Sequence, residues 1–291
     1  PQPGHSLAHP RALSLSQQLA HSGARLVVWP EAGFDGYFAQ PSVATALHRA
    51  AADMEAAILL QGMETTNSRQ FNSAALIGAN GEETGRYQKI QRVAFGEYLP
   101  LLEAFPRTGS WVREQLGGFF NRVAAGKTRA RFAVDDMTVV PLICYEALFP
   151  ALVANAARGG DGAELLVVMS NNVWFGASRL PHQHLNASVL RAVENRRPLM
   201  HVINNGPSAV ILPNGRRLLQ TRYDEEAAYS VDVPLSQSSG ETFFTRHSQG
   251  VLSVLHLLLV VIVLRAIPGF RMRRPAPVSY THLTLPTNRE V

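Results

Sequence analysis

Residues 138–149 read TVVPLICYEALF. From Thr138 to Cys144 the chain is almost wholly apolar and rich in β-branched residues. Such a run marks a short strand buried on both faces rather than a surface strand of alternating polarity. Proline favours the first turn of a helix, so Phe149-Pro150 opens a helix that runs to Arg158 and stops at Gly159-Gly160. A buried strand feeding a helix belongs to a sheet covered by helices.

The pattern recurs on both sides. Residues 165–170 (LLVVMS) read as a strand followed by a helix over 182–196. Residues 24–29 (ARLVVW) read as a strand closed by Pro30 and preceded by a helix over 12–21. An Ala-rich helix over 44–57 leads into strands at 57–61 and 71–77, and further strands are expected at 200–203, 208–212 and 228–231. Asn80-Gly81 and Asn214-Gly215 are hairpin turns, because both central positions of such a turn need positive φ. Hairpins mixed with strand–helix units predict an α/β sandwich rather than a purely doubly wound sheet.

Composition narrows the function. With 291 residues, 46% apolar and 17% charged, the chain is neither disordered nor collagen-like nor a coiled coil. The net charge is +5, but the arginines are scattered and form no basic face with interleaved aromatics, so no nucleic-acid partner is expected. A single cysteine, Cys144, excludes an intrachain disulfide framework and a multi-cysteine zinc cage. His182 and His184 stand two apart and do not share a helix face, so no metal site is expected. Gly-rich phosphate and dinucleotide loops are absent, and no cofactor is expected. Of the 27 Lys and Arg residues only Lys89 and Lys127 are lysines.

Three residues stand at strand ends. Cys144 closes the strand over 138–144, and a nearby helix N-terminus can favour its thiolate; a buried structural cysteine is the alternative. Glu31 follows VVWP, where a carboxylate against an apolar wall can act as a general base; a solvated loop carboxylate is the alternative. Lys89 lies in YQKIQRVAFGEYLP, a lysine kept in an arginine-rich chain where a compact ammonium is useful, with Glu97 eight residues on to orient it. Lys127, in an exposed Gly-Lys-Thr loop, has no assigned role. Trp174-Phe175-Gly176 reads either as a turn with packed aromatics or as the wall of a site.

VVWPE, the lysine block with FGEYLP, and CYE in this order resemble the nitrilase superfamily and its Glu-Lys-Cys triad. More narrowly, FGEYLPL, CYE, SNNVWFG, the QH of HQH, and LRAVENRRP resemble apolipoprotein N-acyltransferases of the bacterial inner membrane, over about residues 24 to 265. The resemblance implies an αββα four-layer sandwich followed by one C-terminal transmembrane helix. It also implies that a membrane domain and the first strand precede Pro1. Cys144 is then the nucleophile, Glu31 the base and Lys89 the oxyanion partner, with Glu97, Tyr145 and Glu146 supporting the site. Trp174 and Phe175 are candidate substrate-binding residues. The implied reaction moves an acyl chain from a phospholipid through a Cys144 thioester to the N-terminal amine of a diacylated lipoprotein. Two departures stand out: Arg92 and Ala94 replace the usual Leu and Pro of the lysine block, and Asn172 replaces an Asp.

Val251 to Leu264 is apolar save Ser253 and His256, and the run extends to Phe270 with one charge, Arg265. Arg271, Arg273 and Arg274 then read as the cytoplasmic end of a membrane span, which places the catalytic body in the periplasm; a buried core helix is the alternative. The expected division is a catalytic domain over 1–247, a membrane helix over 248–270, and a basic end over 271–291. Residues 278–291 are unlike the body and are read as a non-native tail. Trp111, Val112, Leu116, Phe119 and Phe120 fall near helical spacing, as a core helix or as an apolar lid for acyl chains. Two rival functions share these residues: a carbon–nitrogen hydrolase that gives a small amide's acyl group to water, and a non-enzymatic membrane-anchored protein of assembly or transfer machinery.

Overall fold

The computed structural model describes residues 10–34, 36–100, 103, 123–159, 165–223, 225–235 and 240–266. The apolar residues of 111–120, read as a core helix or a lid, the three arginines at 271–274 and the tail at 278–291 lie outside them.

Two sheets form the centre. The first has the order β1-β2-β3-β4, from Leu26–Val28, Ala57–Thr66, Arg69–Ile77 and Glu83–Gln88. The second has the order β10-β9-β8-β7-β6-β5. Its strands are β5 Phe132–Val134, β6 Met137–Ile143, β7 Leu165–Asn171, β8 Leu199–Asn204, β9 Ala209–Ile211 and β10 Arg217–Gln220. Strands β6, β7 and β8 run parallel, as do β1 and β2; the other pairs are antiparallel.

Side chains alternate across each strand, and both faces are covered. Ala57 and Leu59 of β2 meet Val139 and Ile143 of β6, and Leu165, Val167 and Met169 of β7, in one core between the sheets. Ile58 and Leu60 point the other way, onto Leu13 of α1 (Arg11–His21) and Val43, Leu47 and Ala51 of α2 (Pro41–Met54). On the far side Val140, Leu142, Leu166 and Val168 pack on Val153 of α3 (Pro150–Ala157) and on Leu185 and Ala192 of α4 (Leu180–Asn195). The layers are therefore α, β, β and α, as expected. Near-continuous apolar runs such as LLVV follow from this double burial.

Local differences have local causes. Helix α2 ends at Met54, where Glu55 turns left-handed at φ 51°, so β2 begins at Ala57. Strand β2 extends past Gln61 to Thr66 because β3 pairs with it along its whole length. The expected strand at 228–231 does not form: among the described residues no strand pairs with it, and Tyr229 is exposed. Both Asn-Gly turns are present, joining β3 to β4 and β9 to β10, with Gly81 at φ 76° and Gly215 at φ 83°.

The chain divides into two compact units, 1–248 and 249–291. Helix α5, Phe243–Ala266, has a kink at His247. It is long and apolar enough to cross a membrane, with a mean hydropathy of 2.1. Its side chains from Val254 to Val263 are all exposed, and His256 is the one polar residue among them.

Candidate active site

The carboxyl ends of the central strands converge. Parallel pairing sets Ile143 beside Met169 and Asn171 beside Asn204, so the residues that follow β6, β7 and β8 emerge at one edge. In the first sheet, Glu31 follows β1 after Trp29-Pro30, and Lys89 is the first residue past β4. The structure brings Glu31, Lys89 and Cys144 into one site, where the carboxylate and the ammonium both act electrostatically on the thiol.

Cys144 opens a one-turn 3₁₀ segment, Cys144–Leu148. Its φ is 52°, in the left-handed region that costs an L-residue about 1 kcal/mol or more. Such a turn swings the side chain off the strand line toward the sheet edge. Its thiol pKa is pushed up to about 12, first by burial and then by Glu31, with Lys89 and the Ser170 hydroxyl opposing. The resting group is therefore a neutral thiol. The sequence-based expectation of a helix-stabilised thiolate does not hold, because the carboxylate and desolvation outweigh the cation.

Glu31 is tied to both sheets. Its Oε1 accepts from Asn72 Nδ2 of β3 at 2.9 Å, and its Oε2 accepts from the Asn171 backbone N–H at 3.0 Å. Lys89 is only 1% exposed and donates to Glu97 Oε1 at 2.9 Å. Burial works to lower its pKa, but Glu31, Cys144 and Glu97 together outweigh it and hold the pKa raised. Glu97 also accepts from Asn72 Nδ2 at 3.2 Å and from the Val93 N–H at 2.8 Å. Asn72 thus bridges both carboxylates, and its Oδ1 is fixed by Gln61 Nε2 at 2.7 Å. Asn72 and Gln61 escaped the sequence reading. Their signal was polarity at buried positions of two apolar strands.

Glu146 does different work. It is fully buried, and its Oε1 accepts from Tyr87 Oη at 2.7 Å and from the N–H groups of Ile90 and Gln91 at 2.8 and 3.0 Å. Its Oε2 accepts from the Ile143 N–H at 2.8 Å. Burial raises its pKa against these four donors. The side chain fastens the segment after Lys89 to the strand end before Cys144. Tyr145 is half-buried and packs edge-on against Phe149, with centroids 5.0 Å apart.

Trp174 and Phe175 sit on a short 3₁₀ turn after β7, 84% and 45% exposed. They project to solvent rather than into the packed site. His182 is exposed and His184 buried, as their spacing requires. Among the described residues no group of three His, Cys, Asp or Glu side chains is placed to hold a metal ion.

Glu31, Glu97 and Lys89 sum to one negative charge around a neutral thiol. Ionising Cys144 with loss of its proton to solvent would leave two negative charges in a buried site, which is costly. Moving that proton to Glu31 keeps the sum unchanged, so the geometry suits proton transfer coupled to attack by sulfur.

The carbon-nitrogen hydrolase family matches residues 8–239 of this chain. The apolipoprotein N-acyltransferase of Geobacter metallireducens is 32% identical over 246 residues, covering 80% of this chain and 44% of the relative. That of Brucella suis is 32% identical over 247 residues, covering 81% and 44%. This chain therefore spans less than half the length of these relatives. Among solved structures, a mutant of the amidase from Nesterenkonia sp. AN1, with acrylamide added to its active-site cysteine, has a TM-score of 0.52 at 22% identity. It covers 72% of this chain and 80% of that one. This likeness is one of fold. With a four-layer sandwich and a family match over most of its length, the chain belongs to the carbon-nitrogen hydrolase family, the nitrilase superfamily.

Proposed function

We propose that this chain is the catalytic unit of an N-acyltransferase that moves an acyl chain from a phospholipid to the N-terminal amine of a diacylated lipoprotein. The observation that carries the reading is the chain's only cysteine, set in a strained turn between a carboxylate and a buried ammonium. The names of the curated relatives favour acyl transfer to an amine.

Glu31 takes the thiol proton as Cys144 Sγ attacks the ester carbonyl. The oxyanion that forms is stabilised by the Lys89 ammonium, held in place by Glu97. Collapse breaks the ester C–O bond, Glu31 returns the proton to the departing lysolipid oxygen, and a thioester remains on Cys144. The acceptor amine then attacks the thioester, Glu31 takes the amine proton and passes it to the departing sulfur, and the amide is released. The exposed Trp174 and Phe175 and the apolar helix α5 suit a lipid substrate at a membrane, with the catalytic unit on the periplasmic side of the bacterial inner membrane.

Incubating membranes that carry the protein with a phospholipid labelled in its acyl chain should give a hydroxylamine-sensitive label on Cys144. The same label on a Cys144→Ala variant, or none on wild type, rejects the reading. The amidase alternative keeps the first half of the chemistry and gives the acyl group to water. Its support is the fold likeness to an amidase, and ammonia release from small amides would favour it.

A further inference from the structure

Behind the nucleophile lies a buried polar chain that the chemistry above does not use. His184, on α4, places Nε2 3.1 Å from the Cys144 carbonyl oxygen. A carbonyl oxygen only accepts, so Nε2 carries the ring hydrogen. Burial holds the His184 pKa down, and Lys89 pushes the same way, so the ring is neutral and Nδ1 is a bare acceptor.

Two groups face Nδ1 at 3.4 Å: the Ser170 hydroxyl and the Asn172 amide. The same hydroxyl lies 3.4 Å from Cys144 Sγ. Among the described residues Asn172 Nδ2 is buried without a partner while its oxygen lies against Nδ1, an acceptor facing an acceptor. Turning the amide over resolves both, giving Nδ1 a donor that leaves the Ser170 proton free for sulfur.

We propose that His184 is a positioning residue for the nucleophile: its Nε2–H clamps the Cys144 carbonyl in the left-handed turn, and its Nδ1 holds the Ser170 hydroxyl beside the sulfur. While Cys144 is a thiol, sulfur accepts weakly and the hydroxyl rests on Nδ1. As the proton leaves for Glu31 the sulfur becomes the stronger acceptor, and the hydroxyl swings to it while the Asn172 amide takes its place. The neighbouring His201 stacks edge-on to His184, with centroids 5.0 Å apart, and is itself held by Ser188 Oγ at 2.9 Å, so the clamp is backed from behind.

The inference rests on Cys144 being the nucleophile, and the test separates the two. Gln places its amide nitrogen near the Nε2 position, whereas Asn places its nitrogen near Nδ1. His184→Asn should therefore slow thioester formation on Cys144 about tenfold or more, and His184→Gln should recover most of that loss. Ser170→Ala should slow it several-fold by removing the donor to sulfur. Because Cys144 is the only cysteine, alkylation by iodoacetamide followed by intact mass reads its thiol without any acyl substrate. Its rate should fall in the order wild type, His184→Gln, His184→Asn. Equal alkylation and acylation in wild type and His184→Asn, or equal losses in the Gln and Asn variants, overturns the clamp. A rate unchanged in Ser170→Ala overturns the hydroxyl arm. A wild type that alkylates in this order but never forms a thioester overturns the nucleophile reading and leaves the clamp standing.

Discussion

Lys89 Nζ and Glu97 Oε1 stand 2.9 Å apart, with 1% of the lysine side chain and 16% of the glutamate side chain exposed. Glu31 also acts on Lys89, so losing the Glu97 charge leaves the ammonium a counter-charge but takes away its hydrogen-bonded one. Glu97→Gln should destabilise the fold by about 1–3 kcal/mol, the cost of leaving a buried donor short of an acceptor, and release the Val93 N–H from its carboxylate acceptor. Urea unfolding measures the first effect, and acylation of Cys144 should drop with it. A variant of wild-type stability would show that Glu31 alone balances the lysine.

The same enclosure makes Lys89 hard to replace. Lys89→Met keeps the stem and removes the charge, and should lower the acylation rate about 10²- to 10³-fold, the usual size of losing one oxyanion partner. Lys89→Arg should fail as well. A guanidinium is broader and planar, and the lysine already fills its space. Single-turnover labelling with a phospholipid donor separates this loss from a change in binding. An active arginine variant would argue that any positive charge suffices.

Much of the candidate site was legible because each of Glu31, Lys89 and Cys144 is the polar end of a recognisable element. Strand ends are where chemistry leaves a sheet, and apolar runs such as VVW and TVVPLI announce them. Other parts were hidden for physical reasons. Strand β4 (ETGRYQ) buries only Tyr87 fully, so its sequence looks like loop. Asn72 sits mid-strand in RQFNSAALI, where nothing local reveals that two carboxylates from distant segments converge on it. His184 could be sorted from His182 by helix geometry, but its partner is the backbone of Cys144, and a backbone acceptor leaves no trace in composition. Glu146 was expected beside the nucleophile for support, and its support is mechanical, through four backbone and phenol donors.

That mechanical role has its own consequence. Glu146→Gln keeps size and shape but exchanges one acceptor oxygen for an NH₂ group. Every partner of the two carboxylate oxygens is a donor, so the new amide nitrogen must face an N–H. Leaving a buried donor unpaired costs about 1–3 kcal/mol per group. The variant should melt several degrees lower and lose acylation, while Glu146→Ala with Tyr87→Phe should be no worse than Glu146→Ala alone. Thermal unfolding followed by circular dichroism checks both.

Glu31 and the Cys144 thiol give the sharpest test, because acid–base chemistry and reactivity move in opposite directions. The thiol pKa is pushed up to about 12, first by burial and next by Glu31, while Lys89 pulls it down. Alkylation should therefore climb about tenfold per pH unit from neutral pH into the alkaline range without a plateau, whereas the denatured chain should level off near an ordinary thiol pKa of about 8.5. A folded pKa above the unfolded one means that the folded state holds the proton more tightly. That contribution is complete below the unfolded pKa and is lost as pH rises toward the folded value. Cys144→Ala should lack this alkaline loss. Glu31→Gln removes the charge that raises the thiol pKa and leaves Lys89 in place, so alkylation at pH 8 should become faster than in wild type. Acyl transfer should nonetheless collapse, since nothing remains to take the proton and return it to the leaving group. Slower alkylation in Glu31→Gln, or retained transfer, would show that the carboxylate does not govern the sulfur.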